Sequence, residues 1–242
     1  QSSPSVLITT NPNIKQLSDL KNKKIMITSS EANSVSLTAM LMSHGISAQG
    51  IIPQQHSFNI EDLITHQTDA MSCYISNEPF FLGNHHIAYT IFNHKDYGFD
   101  FYGDILFTSE DEIKYHEQRV RNFHSATKKG WEWAFENIKE SSKIILEKYN
   151  TQNKSLEALM YEGYALKKLA FSEDKEFGII EEKRFEEIAN IYRLSGLLKS
   201  NYCIEGFIDP LKLSKKIVKI GVLANRGDKF ALKVWEETAN FL

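Results

Sequence analysis

Over the first hundred residues the chain places short apolar runs between polar, turn-forming ones. "SVLITT" (5–10) reads as a strand. The polar turn within "LSDLKNKKIMITSS" (17–30) leads to a second apolar strand at 24–28. In "EANSVSLTAMLMSHGI" (31–46) the apolar positions Val35, Leu37, Met40, Leu41 and Ile46 fall near helical spacing, and Gly45 supplies a C-terminal stop. Further along, "GIIPQQ", "DAMSCYIS" and "HIAYTIFN" have the composition of strands, while "NIEDLITHQ" and "NEPFFLGN" have that of helices. Strand–helix–strand alternation at this spacing predicts a mostly parallel sheet wound on both faces by helices, an α/β class. Ligands of such sheets bind at the carboxyl ends of the strands.

The pattern changes after "DILFT" (104–108). Residues 110–200 read mostly as helix: "IKYHEQRVRNFHSATKKGWEWAFENI", "ESSKIILEKYN", "SLEALMYEGYALKKLAF" and "EKRFEEIANIYRLSGLL". Ser141 and Ser155 are expected to start helices and Gly196 to stop one. Near the end, "KIVKIGVLANRG" reads as a strand and "DKFALKVWEETANFL" as an amphipathic helix capped by Asp228, with "LKLSKK" (211–216) as the linker before them. Three units are therefore expected: an α/β lobe over 1–103, a helix-rich region over 104–210, and the β-α start of a further domain over 211–242. The chain opens on Gln1 with no leader pattern, which reads as a piece trimmed from something longer.

Composition narrows the function classes. Apolar content of 42% with 24% charged residues is that of a soluble globular protein. A formal charge of −3, with no basic run, gives no footprint for nucleic acid. No stretch is apolar for long enough to span a bilayer. Cys73 and Cys203, set among apolar neighbours, read as small buried hydrophobes rather than a disulfide framework or a zinc site. His85 and His86, with His94 nearby, invite a metal reading. Adjacent residues of a strand point to opposite faces, however, so solvent-facing histidines are expected and no metal site.

Phosphate-loop, dinucleotide-fold and nucleophile-elbow motifs are all missing. "ITSSEANS" (27–34) ends a strand in small hydroxyl residues ahead of a helix. Ser29 and Ser30 there either cap that helix or help to hold an anion. "YISNEP" (74–79) places Tyr74 at the end of a strand, with Asn77 and Glu78 opening the next helix. Glu78 is then either a first-turn carboxylate favoured by the helix dipole or an acceptor for an amino-bearing ring. "DYGFDFYGD" (96–104) sets four aromatic side chains between glycines. Alternation puts Phe99 and Phe101 on an inward face and Asp100 and Tyr102 on the other, with Gly98 and Gly103 letting the chain bend. Any ligand contact from this stretch is confined to Tyr102, with Tyr97 as its companion.

"DLKNKKIMITSS", "DAMSCYISNEPFFL", "DYGFDFYGDILFTSE" and "GWEWAFEN", in that order, resemble the thiamine-pyrimidine-precursor family of bacterial periplasmic binding proteins over about residues 4–200. That family is related to alkylsulfonate-binding proteins and to yeast pyrimidine-synthesis enzymes. The resemblance implies a two-lobed clamshell of the type II periplasmic-binding class, with a small planar or anionic ligand between the lobes. It implies contacts from Tyr74, Asn77, Glu78 and Tyr102, with polar groups from Ser29 and Ser30, and no cofactor. Relatives begin with a further stretch carrying strands of the other lobe, so residues 104–200 resemble that lobe's helices without enough strands beneath them. Exposed apolar helix faces and oligomerisation are expected in consequence.

The tail is similar to the first strand and helix of phosphonate-type sensor domains. Together the two resemblances imply an extracytoplasmic ligand-binding domain of a membrane-anchored sensor. A transporter's substrate-binding protein and a pyrimidine-synthesis enzyme are the alternatives. The enzyme reading requires a cysteine-rich motif and a cofactor lysine, and this sequence has no cysteine cluster. A fourth reading is an interaction domain that has lost its ligand.

Overall fold

The computed structural model describes residues 2–28, 34–171, 177–199 and 206–208. Ser29, Ser30, Cys203, the linker at 211–216 and the β-α tail through Leu242 lie outside the described residues.

Five strands form one sheet: β1 (Ser5–Thr9), β2 (Lys24–Ile27), β3 (Ile52–Gln55), β4 (Ala70–Tyr74) and β5 (Thr90–Asn93), in the order β3-β2-β4-β1-β5. β2 pairs in parallel with β3 and with β4, whereas β1 is antiparallel to both β4 and β5. β5 therefore runs with β2, β3 and β4, and β1 alone is reversed. Connections within the sheet carry α1 (Val35–Ser43), α2 (Glu61–Ile64) and α3 (Glu78–Asn84).

The two-residue period of the strands divides the core into two faces. Leu7, Ile25, Ile27, Ala70 and Phe92 pack with Leu37, Met40 and Leu41 of α1. Val6, Ile8, Met26, Met71 and Cys73 pack on the opposite side with Leu63 of α2 and Leu82 of α3. Burial on both faces explains why these strands read as continuous apolar runs. Cutting a fully buried side chain such as Leu7 to alanine costs about 2–5 kcal/mol.

The second region is helical: α4 (Glu110–Tyr115), α5 (Glu117–Glu136), α6 (Ile138–Lys148), α7 (Leu156–Ala170) and α8 (Glu182–Leu194). Its buried rings among the described residues are Phe135 and Phe177, with the more exposed Trp131 and Phe171 packed against them. Trp131 stacks on Phe135 at 5.2 Å, Phe135 meets Phe171 edge-on at 5.6 Å, and Phe171 stacks on Phe177 at 5.1 Å.

Several boundaries differ from the sequence expectation. The long helix expected across 113–138 breaks at His116 into α4 and α5. Ser141 starts no helix: α6 begins at Ile138 after Asn137, and the Ser141 hydroxyl donates to the Ala134 carbonyl at 3.3 Å across the helix junction. A serine one turn into a helix has the residue type of a cap without its position. Ser155 does cap α7, accepting from Ala158 N–H at 3.2 Å, and Gly45 and Gly196 follow α1 and α8 at φ +73° and +74°. β5 begins only at Thr90, so His85 and His86 lie in the turn after α3 and not in a strand.

Candidate functional site

The reversed strand β1 fixes where the chain enters and leaves the sheet. Ser5 stands opposite Tyr74 and Val6 opposite Asn93, so the start of β1 and the ends of β4 and β5 share one edge, the carboxyl edge of the parallel strands. The first residues of the sequence and the segment that leaves β5 for the helical region meet at that edge. Ser3 N–H donates to Phe101 O at 3.0 Å, and Ile75 N–H donates to Pro4 O at 2.9 Å. A Cβ on Gly103 would sit 3.3 Å from Pro4 Cδ and from Ser3 Cα, so residues 3–4 and the crossing after β5 run in close contact. The entering chain also bonds α7's end, through Ser2 N–H to Leu169 O at 3.2 Å.

The leaving crossing is held by α8. Phe99 packs on the sheet core, and Phe101 faces Tyr192 with ring centroids 6.0 Å apart. Asp100 and Tyr102 both engage Arg184. The guanidinium Nε donates to Asp100 O at 2.9 Å, Nη2 lies 2.9 Å from the Asp100 carboxylate, and Cζ sits 4.1 Å from the centre of the Tyr102 ring. The Nη2 approach is ionic rather than an aligned hydrogen bond. The Tyr102 hydroxyl accepts from Glu181 N–H at 2.8 Å. Tyr97 is half-buried against the core and edge-on to His44 at 5.0 Å, and burial raises its phenol pKa above the ordinary value, with Asp96 adding to the rise. A pocket of about 320 Å³ lies between Asp100, Phe101 and the α8 residues Arg184, Glu187 and Ile191; none of its lining residues comes from the β4–α3 turn.

Tyr74, Asn77 and Glu78 come together at the end of β4. The Glu78 carboxylate accepts from Tyr74 N–H at 3.0 Å on one oxygen and from the Asn77 amide at 2.7 Å on the other. Those bonds brace the turn, and each oxygen keeps a lone pair for a further donor. The helical region faces this turn through α7. Tyr161 packs on Phe80 at 5.4 Å and donates its hydroxyl to Ile75 O at 3.3 Å, and burial first, then Tyr89, raises its phenol pKa.

The end of β3 contributes residues that sequence reasoning missed. His56 N–H donates to Ile27 O, and its ring reaches the β4 backbone, with Nε2 2.7 Å from Ser72 O. Phe58 N–H donates to His56 Nδ1 at 2.9 Å. An N–H can only donate, so Nδ1 is the acceptor and Nε2 carries the hydrogen. Phe58 itself has φ +59° and is 75% exposed. A phenylalanine in a polar loop was the available signal, but its backbone conformation has no sequence signature.

Tyr102 belongs to the α8 side of the crossing, and its described contacts are with Glu181, Arg184 and Phe185 rather than with the β4–α3 turn. The His85 ring donates from Nδ1 to Phe81 O at 2.8 Å, and His94 is buried. Among the described residues no group of three or more His, Cys, Asp or Glu side chains could hold a metal ion.

Three solved structures place this architecture. The alkanesulfonate-binding protein SsuA of Xanthomonas axonopodis pv. citri, bound to MOPS, matches with a TM-score of 0.57 at 12% identity, over 82% of this chain and 67% of that one. A ligand-binding component of an ABC-type import system from Staphylococcus aureus, with zinc bound, matches with a TM-score of 0.59 at 17% identity, over 88% and 70%. The periplasmic aliphatic sulphonate-binding protein SsuA of Escherichia coli gives 0.54 at 11% identity, over 84% and 68%. At these identities the likeness is one of fold, that of type II periplasmic binding proteins. No curated protein sequence matches the chain. The NMT1/THI5-like family model matches residues 1–141, and the chain belongs to that family.

Proposed function

We propose that the chain is a non-enzymatic, extracytoplasmic solute-binding domain that closes its two lobes around a small planar or anionic molecule, such as a thiamine-precursor pyrimidine. The observation that carries this reading is the shared edge. Residues 2–4, the crossing at 98–103, the β4–α3 turn and the β3 loop all lie at the carboxyl ends of the parallel strands, and α7 and α8 reach that same edge. A bend at residues 2–4 and 98–103 would move the helices toward or away from Tyr74, Asn77 and Glu78. In this reading Glu78 accepts from an amino group on the ligand, Asn77 and Tyr74 line the turn, and Ser29 and Ser30 supply polar groups. Tyr102 contributes through the crossing, by the position it gives α8. Closure shifts a conformational equilibrium by the ligand's differential affinity for the closed form.

The sensor role rests on the tail at 219–242, which is similar to the start of a phosphonate-type sensor domain; the full-length receptor is then membrane-anchored. A second reading, a transporter's substrate-binding protein, is favoured by the roles of the structural relatives, one of which is a component of an import system. A thermal-shift screen tests binding itself. The probes are 4-amino-5-hydroxymethyl-2-methylpyrimidine, MOPS and free amino acids. A ligand at a hundred times its Kd stabilises by about 2.7 kcal/mol, which gives a rise of several degrees. Indifference to every probe contradicts the reading. Glu78→Gln removes the charge at constant side-chain size, with the Asn77 amide reversed to accept from the new NH2, and should weaken a pyrimidine hit about tenfold or more.

A further inference from the structure

Phe58 is in a conformation that its own packing does not explain. A bulky side chain at φ +59° is an outlier, and such strain costs on the order of 1–3 kcal/mol. A ring folded into a core would offset that cost, yet Phe58 is 75% exposed. Its one described ring contact is with the His56 imidazole, at a centroid distance of 4.5 Å and an interplanar angle of 33°.

The loop around it is nevertheless held tightly. His56 is anchored at three points: its N–H on Ile27 O, Nε2 on Ser72 O and Nδ1 under Phe58 N–H. Ser57 donates through its hydroxyl to the Asp62 carboxylate at 2.6 Å, and Asn59 N–H donates to the Ser57 oxygen at 3.1 Å. Asn59 Oδ1 in turn accepts from Glu61 N–H at 3.2 Å as α2 begins. The network holds the Phe58 backbone while the residue stays 75% exposed. Parallel pairing puts this loop at the carboxyl edge that holds Thr28 and the β4–α3 turn.

From these observations we infer that Phe58 is a ligand-stacking residue, held in its strained pose by His56, and that it selects planar heteroaromatic solutes over aliphatic ones. The inference rests on the lobe-closure reading above and adds the side chain that reads the ligand's shape. A flat ring presents a π-face of matching size and gains from offset stacking on Phe58, whereas an alkyl sulfonate gains only apolar contact. His56 acts through Phe58 and is a positioning residue.

Calorimetric titration of the whole chain with 4-amino-5-hydroxymethyl-2-methylpyrimidine and with MOPS tests the assignment, using wild type, Phe58→Ala, Phe58→Gly, Phe58→Trp and His56→Ala. The wild type should prefer the pyrimidine. Phe58→Ala and Phe58→Gly should weaken it by about tenfold or more, the size of one lost base–aromatic stack, with MOPS binding changed less. Phe58→Trp should retain it, and His56→Ala should weaken the pyrimidine more than MOPS; equal weakening of both probes would overturn the positioning role. A melting curve without ligand gives a second readout: Phe58→Gly, free to adopt positive φ, should melt at or above Phe58→Ala. A pyrimidine affinity kept by both small variants overturns the assignment and leaves the binding reading standing. A wild type that binds neither probe overturns both.

Discussion

Gly98 stands at φ +86° where the chain turns out of β5 toward the crossing, and Arg184 closes over the residues that follow. A side chain at Gly98 meets no neighbouring atom, so Gly98→Ala isolates the backbone strain and should lower stability by about 1–2 kcal/mol. Arg184→Met keeps the aliphatic stem but loses the bond to Asp100 O and the charge over Tyr102. A loss of about 1.5–3 kcal/mol in chemical denaturation is expected, as for a hydrogen bond to a charged group. Asp19 shows the pH side of the same scale. Its carboxylate accepts from the backbone N–H groups of Lys15 and Gln16, which together hold its pKa below the ordinary value. Its contribution is present above the ordinary carboxylate range and is lost as pH falls through the depressed folded value. Acid-unfolding curves of Asp19→Asn should therefore lose part of their slope below that range. Residues of this kind were legible in part. The alternation in "FDFY" placed Asp100 and Tyr102 together, while their shared partner Arg184 is distant in sequence and left no local trace.

Elements followed their patterns where one period dominates. β1, β2 and β4 are buried on both faces and read as apolar runs, and the stops at Gly45 and Gly196 follow from a positive φ that glycine adopts without strain. The helix breaks were less visible, because Asn137 and His116 interrupt helices without the glycine or proline that announces an end. Helix–helix contact is also hidden from local spacing. At Gly163 of α7 an added Cβ would lie 2.8 Å from Cγ2 of Ile138, a branched methyl of α6 with little freedom to retreat. Helix propensity favours Gly163→Ala by about 1 kcal/mol, but overpacking typically costs about 1–3 kcal/mol. The substitution should therefore be neutral to destabilising in equilibrium unfolding. A clear gain would mean that α6 and α7 are less closely packed than this.

At the scale of the molecule, side chains are buried on both faces of the sheet, whereas the described helical region carries large side chains in solvent. Trp133, Tyr149, Leu194 and Leu197 are among its exposed large side chains, Leu194 at 79%. We propose that a second copy of the chain covers part of this surface. Sedimentation should then show concentration-dependent association, and monomers at high concentration would contradict it. The site is legible in the sequence only as far as the β4–α3 turn, because the rest is assembled from loops and from α7 and α8, which come from distant parts of the chain. Lobe closure on a small solute is read most directly by small-angle X-ray scattering on the whole chain. With 4-amino-5-hydroxymethyl-2-methylpyrimidine, MOPS and free amino acids added in turn, one probe should reduce the radius of gyration in a saturable way. A scattering curve unchanged by every probe, at concentrations that saturate related binding proteins, would contradict the claim.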